Sequence, residues 1–331
     1  MNATGLWASL IGLHALAVLI ALALDAWLGE PPARAHPVVA MGRYLGWSGR
    51  MLQGHTRQAE ANTPDWRGFW LGALAWTGGA TLVLGLALWL QGLLWSWPLW
   101  LAAPLLGLAL KPMLAWRMLR DEVWAVERAL GLSLEAGRAR LSGLVSRDVS
   151  QLCAAQVRES AIESLAENLN DSVLAPLFWF AVAGLPGAAL YRYANTADAM
   201  WGYPGRYRGR NWAWAGKWAA RADDVLSWLP ARLTALLLTL VAGGRARGAL
   251  RALPHEARQT PSPNSGWPMA AMALGLGVGL HKPGVYVLNA AGAAVQARDT
   301  RRALVCAAKV VAMLAAIALI AIVFVVLVAQ P

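Results

Sequence analysis

The sequence is short of charge. Only 14% of its 331 residues are Asp, Glu, Lys or Arg, whereas 58% are hydrophobic and 19 are Trp. The apolar residues come in long runs, which excludes an average soluble domain and points to an integral membrane protein. Cysteine is almost absent. Cys153 and Cys306 stand apart, without metal or redox spacing, so no disulfide framework is expected. The standard nucleotide signals are missing as well. Gly216-Lys217 is followed by Trp218 and lacks the earlier Gly that a P-loop needs, and residues 275–279 lack the dinucleotide-binding spacing. There is no zinc-protease motif and no nucleophile elbow. No fixed-period repeat or low-complexity linker divides the chain. No Lys or Arg precedes the first apolar run, so residues 1–24 read as a membrane anchor rather than a cleaved leader.

The charge that is present is lopsided, with 29 Lys+Arg against 18 Asp+Glu and a net charge of +11. No basic block interleaved with aromatics occurs, so nucleic acid is not an expected partner. The basic residues lie between apolar runs, as in loops facing anionic lipid. Runs 5–24, 69–90, 93–110 and 303–329 are read as spans, since about 20 residues of helix cross a hydrocarbon core. An uncharged link, 91–98, makes the second and third a helical hairpin. Runs 173–190, 229–242 and 269–280 are ambiguous: the first holds Pro176 and Pro186, and the other two are short. Every polar section is basic, so all are expected on the cytoplasmic side, with the three ambiguous runs re-entrant or buried. The expected fold is an all-α integral membrane protein, a polytopic helical bundle in a single domain, with a polar helical region on the cytoplasmic side.

Polar residues crowd into one stretch, 146–238. Glu159, Glu163 and Glu167 are four apart and form one stripe on a helix, which Asp171 continues one turn on. A solvated face explains such a stripe. The alternative is a site, because AENLND (166–171) directly precedes the apolar APLFWF (175–180) and charge beside apolar segments is costly. Magnesium held by carboxylates and substrate phosphates is the natural counter-ion. Asn195, Asp198, Asp223 and Asp224 form a second acidic group, surrounded by Arg192, Arg206, Arg208, Arg210, Lys217 and Arg221. That mixture suits a magnesium–phosphate site or, equally, an ion-pair network against lipid headgroups. His36 lies in a Pro-rich turn and is either structural or an acid–base group. Asn264, in SPNSGWP (262–268), could cap a helix or bind a ligand, and turn chemistry alone would also explain it.

Taken in order, these stretches resemble the CobD/CbiB family of membrane-bound adenosylcobinamide-phosphate synthases in cobalamin biosynthesis. The resemblance is carried by 25–42 with its HPV (36–38), SRDVSQL (146–152), ESLAENLND (163–171), APLFW (175–179) and 184–203. Arg206-Tyr207, ARADDVLSWLPARLTALLL (220–238) and SPNSGWP complete it. It implies amide formation between the ring-D propionate of adenosylcobyric acid and aminopropanol or its O-phosphate, driven by ATP with magnesium. On that reaction, Glu163, Glu167, Asp171, Asp198, Asp223 and Asp224 are the pool from which metal ligands would come. Arg147, Arg192, Arg206 and Arg221 would contact phosphate, with Asn168, Asn195 and Asn264 also binding substrate, and His36 or Asp148 would move the proton. Trp179, Trp201, Trp212 and Trp214 would suit the corrin. The implied location is the bacterial inner membrane, with the site on the cytoplasmic side and other cobalamin-assembly membrane enzymes as partners. Two departures stand out: Glu30 where the family usually has Asp, and Met269 where it often has Glu. The competing readings are a non-enzymatic membrane sensor of the AmpE type and a corrinoid transporter.

Overall fold

The computed structural model describes residues 3–53, 64–243 and 246–328. It is helical nearly throughout, with two short hairpins. Six helical stretches among the described residues are long and apolar enough to cross a membrane: Leu10–Leu28, Trp66–Trp95, Leu99–Leu130, Ala154–Trp201, Lys217–Val241 and Ala297–Leu327. Leu74, Leu82, Leu86 and Trp89, like Ile320, Val323, Phe324 and Leu327, are exposed on these helices, and apolar surface on that scale is covered by lipid. The protein is therefore a multi-pass membrane protein. The chain divides into two compact units, residues 1–114, 175–226 and 318–331 in one and 115–174 and 227–317 in the other.

In the first unit, α1 (Ala3–Leu28), α2 (Pro37–Gln53), α3 (Trp66–Trp95) and α4 (Leu99–Leu110) carry the expected runs 5–24, 69–90 and 93–110. α1 packs on α4. Both present small residues, with Ala17 and Ala21 against Ala102, Ala103 and Gly107. A Cβ at Gly107 would strike Ile20 and the Ala17 carbonyl. Lipid offers no hydrophobic drive for helix pairing, so close backbone approach through small side chains supplies the dispersion energy instead. The α3–α4 turn is tighter than expected, confined to 96–98, with Trp95, Trp97 and Trp100 exposed around it as at a bilayer interface.

Gln91 is thus not in the turn but inside α3, and buried. Its role appears in α8 (Ala175–Trp201), which packs on α3 and whose helical geometry breaks at Ala183 and Gly184 (φ +65°). The break frees the Leu185 N–H, which Gln91 Oε1 accepts at 2.7 Å. Broken backbone at membrane depth is tolerated only where the protein satisfies it. This accounts for the ambiguity of run 173–190: the chain is helical on both sides of a break, not through it. A Cβ at Gly184 would run into the Gln91 amide, on a backbone that favours Gly. Gly184→Ala is therefore expected to lower stability by more than Gln91→Leu, which should cost about 1–3 kcal/mol for an orphaned buried N–H. Thermal unfolding in detergent checks the order, and equal stability of both variants with the parent would refute it.

The rest of the first unit's core is aromatic. Trp201 and Trp212 are buried and stacked, 5.7 Å between ring centroids, beside Leu45, Leu52 and Tyr193. They are core side chains, which removes them from the expected corrin platform. Gly216 lies against the Trp201 carbonyl so closely that no Cβ fits. The Gly-Lys pair at 216–217 is accordingly a packing feature.

The second unit contains α5 (Trp116–Leu130), α6 (Leu134–Leu141), α7 (Ala154–Leu169), α10 (Ala246–Ala257) and α11 (Gly266–Leu276). α5 buries Trp116, Leu119, Val123 and Val126 at helical spacing. α7 packs against α5, α6 and α11. Run 269–280 does not continue as one helix. α11 stops at Gly277, which takes φ +73° as a left-handed cap, and the chain turns into hairpin β3 (Leu280–Lys282)–β4 (Tyr286–Leu288). A smaller hairpin, β1 (Arg206–Tyr207)–β2 (Arg210–Asn211), lies in the first unit. α9 (Lys217–Val241), which contains most of run 229–242, and α12 (Ala297–Val328) each contribute residues to both units. The final residue of run 303–329 lies outside the described residues.

Candidate active site

The glutamate stripe is not a solvated face. Glu159 and Glu163 are buried along α7, each about 5% exposed, because neighbouring helices surround this helix. Nor does the helix end at AENLND. Residues 170–174 form one π-helical turn that runs directly into α8, so Asp171 does not continue the stripe in α-helical register. π turns of this kind concentrate at functional sites. Here Thr234 donates to Asn170 Oδ1 (3.0 Å), and Asn170 Nδ2 donates to Asp171 Oδ1 (2.8 Å).

Beside α7 lies a cavity of about 390 Å³. Arg147, from SRDVSQL, enters it opposite Ser160, Glu163, Ser164, Glu167 and Asn168, while Met269, Lys282 and Tyr286 complete the wall. Arg147 Nη2 donates to Glu163 Oε2 at 3.0 Å and to Ser160 Oγ. Its Nε and Nη1, and Glu163 Oε1, are buried without a hydrogen bond among the described residues. Buried donors on a guanidinium are costly to leave unmade. The arrangement is a ready anion seat beside a ready carboxylate. Asn168 is turned back onto its own helix, donating to the Ser164 carbonyl at 2.9 Å.

The hairpin wall had no counterpart among the sequence-derived site residues. Tyr286 directs its hydroxyl to Met269 Sδ (3.7 Å), a weak acceptor, and feels the Glu163 carboxylate as well. Burial first, and then Glu163 and Glu167, push the Tyr286 phenol above its ordinary range, so it remains a proton donor at any physiological pH. Met269 is thus a wall residue of the cavity, where a Glu would have added a third carboxylate. Glu159, one turn before Glu163, faces the hairpin instead. Its Oε2 accepts from the His281 backbone N–H at 3.0 Å and lies 3.2 Å from His281 Nδ1.

The second acidic group belongs to the first unit. Arg192 Nη1 and Asn195 Oδ1 are 3.5 Å apart, as are Asn195 Nδ2 and Asp223 Oδ1, while Arg221 pairs with Asp224 at 3.6 Å from an exposed position. Asp198 lies against Gly202, and Arg206 is exposed on β1. Among the described residues, no three His, Cys, Asp or Glu side chains gather as a self-sufficient metal cage.

The other candidates are not among the residues that line the cavity. His36 Nε2 bonds Glu30 Oε2 at 2.8 Å, and its Nδ1 accepts the Val38 N–H, which fixes the tautomer and starts α2. Glu30 Oε1 is 3.2 Å from Lys111 Nζ, and Lys111 is also 3.3 Å from Asp25; both Lys111 and Asp25 are buried. The extra methylene of Glu30 is what lets one carboxylate bridge Lys111 and His36. Asp148 is exposed and takes both the N–H and the hydroxyl of Ser150, which hold its carboxyl below the usual range. Asn264 accepts from Arg232, whose guanidinium lies between the Trp228 and Trp267 rings, 4.2 and 4.6 Å from their centroids. This contact ties the SPNSGWP turn to α9.

A "Probable cobalamin biosynthesis protein CobD" of Methanothermobacter thermautotrophicus is 42% identical over 82% of this chain and 86% of its own. The "Cobalamin biosynthesis protein CobD" of Stutzerimonas stutzeri is 43% identical over 87% of this chain and 91% of its own. The protein of that name from Rhodobacter capsulatus is 40% identical over 81% and 82%. No solved structure matches. The profile of the family described as "CobD/Cbib protein" covers residues 18–312, and the chain belongs to that family.

Proposed function

We propose that this protein joins the ring-D propionate of adenosylcobyric acid to aminopropanol, or its O-phosphate, in an ATP-dependent amide synthesis. Membership of the family makes it a protein of cobalamin biosynthesis; the reaction type, co-substrates and cytoplasmic-side site are our reading. The observation that carries it is the cavity beside α7, where Arg147 offers two buried nitrogens, without a hydrogen bond among the described residues, next to Glu163 and Glu167.

A carboxylate does not react with an amine unaided. The carboxylate oxygen would attack the terminal phosphoryl of ATP and release ADP. The amine would then attack the acyl carbon and expel phosphate. Arg147 supplies fixed donors for the phosphoryl oxygens, at no cost in reorganisation. Bringing the reacting ends of the substrates together at one cavity would remove much of the entropic barrier. The incoming ammonium must lose a proton, and Glu167, on the wall, is a base within the same space. The residues also fit magnesium: Glu163 is a buried carboxylate on the cavity wall, Glu167 follows one turn on, and one or two carboxylates plus substrate phosphates are its usual ligands. Bound there, magnesium would neutralise phosphate charge. The Asp198, Asp223 and Asp224 group, with Arg192, Arg206 and Arg221, is the second candidate for metal and phosphate.

The test uses the detergent-purified chain with adenosylcobyric acid, ATP, magnesium and either amine, followed by mass spectrometry of the corrinoid. The expected product has gained the mass of the amide, and it disappears without ATP or with excess EDTA. Loss in Asp223→Asn with Asp224→Asn would bring the second group into the reaction. No amide from folded protein with either amine would favour the sensor reading.

A further inference from the structure

The β3–β4 hairpin, which packs on α7, contributes two polar side chains to the cavity lining. Lys282 and Tyr286 are cross-strand partners, with the ammonium 5.8 Å from the ring centroid. The hairpin is built to hold that pair still. Pro283 and Gly284 occupy its turn, closed by the Val285 N–H to the Lys282 carbonyl (2.9 Å), with Gly284 at φ +71°, as a type II turn requires. One strand is tethered at His281 by the buried Glu159, and the other at Asn289, whose N–H donates to Glu256 at 2.6 Å. Two carboxylate tethers, one buried at Glu159 and one half-buried at Glu256, are more than an exposed turn of this size needs for its own sake.

We propose that Lys282 and Tyr286 are substrate-binding residues, closing with Arg147 a clamp for a phosphoryl dianion. The inference rests on the reading of the cavity given above and extends it to a structural element that reading does not use. Three observations support it. Arg147 holds two buried nitrogens that have no hydrogen-bond acceptor among the described residues. Glu163 pairs with Arg147 at 3.0 Å, and Lys282 lines the same cavity, so two cations face one carboxylate there. The Tyr286 hydroxyl is directed at a weak acceptor, the Met269 thioether at 3.7 Å, and at the Glu163 carboxylate. An entering phosphoryl group brings oxygens enough for a guanidinium fork, an ammonium and a phenol at once. Glu163, relieved of its cations, is then open to the metal that accompanies the phosphate. Glu159, through His281, is a positioning residue for Lys282.

The phosphate could be that of the nucleotide or of the amine, and the test separates them. Equilibrium dialysis of inorganic phosphate against the full-length protein comes first. Lys282→Met should weaken binding about tenfold or more, as should Arg147→Met, the loss expected of one charge-assisted contact, with Lys282→Arg restoring most of it. Tyr286→Phe should weaken it less. In the synthesis assay, a KM raised by Lys282→Met for ATP alone assigns the clamp to the nucleotide. A KM raised for aminopropanol phosphate, but not for free aminopropanol, assigns it to the amine. Phosphate binding by Lys282→Met equal to the parent's, in protein with an unchanged melting temperature, overturns the proposal. If the parent makes no amide yet Lys282→Met loses phosphate, the clamp stands and the reaction assigned to it falls.

Discussion

Arg147→Met is expected to slow amide formation by about 10²–10³-fold, the loss that follows removal of a preorganised donor to developing charge. The same substitution strips Glu163 of its partner, so part of any loss could come from the fold. Arg147→Lys separates the two effects. Lysine keeps the positive charge near Glu163 but has no planar fork and cannot reproduce the Nε and Nη1 donors. Arg147→Lys should therefore melt close to the parent while its turnover stays at least about tenfold down. Full activity in folded Arg147→Met would remove the cavity from the chemistry.

A second large effect is expected in the first unit, at Lys111. Its ammonium is buried with Asp25 and reaches Glu30, which in turn holds His36 at the start of α2. Lys111→Met leaves the Asp25 carboxylate buried without its cation, a change that costs about 3–5 kcal/mol in such pairs. A typical fold has only about 5–15 kcal/mol in reserve, so a large share of it would go. Adding Asp25→Asn removes the orphaned charge and should recover much of the loss, because an apolar or neutral replacement of the whole pair is far milder than breaking it. The comparison is the yield and melting temperature of monodisperse protein in detergent. Equal behaviour of Lys111→Met and the parent would show that the pair carries no such weight.

The membrane class of the fold is legible in the sequence because hydropathy needs no partner: α1, α3, α4 and α12 announce themselves by composition alone. What α7 does is not legible in that way. A stripe of Glu at i, i+4 looks the same on a solvated helix and on one enclosed by α5, α6 and α11, so the burial of Glu159 and Glu163 emerges only with the packing. The break in α8 is hidden for a related reason. Pro186 marks the neighbourhood, but the residue that makes the break tolerable, Gln91, lies in another helix. Within the cavity, Arg147, Glu163, Glu167 and Asn168 could be singled out from polar crowding. Lys282 and Tyr286 could not, since they are isolated in a short turn-rich segment. Its one signal is local: Pro-Gly between residues of strand type, in HKPGVYVLN (281–289), is hairpin chemistry.

The buried bridge between α1 and α4 also constrains how the protein is made. When α1 leaves the ribosome it brings Asp25 with it, and the lysine that neutralises that carboxylate is synthesised only after α2 and α3. Until then α1 has no complete partner, for its small-residue face, Ala17 and Ala21, awaits the same helix. Insertion of the first segments and their final assembly are therefore separate events. The nascent chain must shelter an acidic residue at the end of its first helix across the whole interval, in the headgroup region or against the insertion machinery, before the bundle can close.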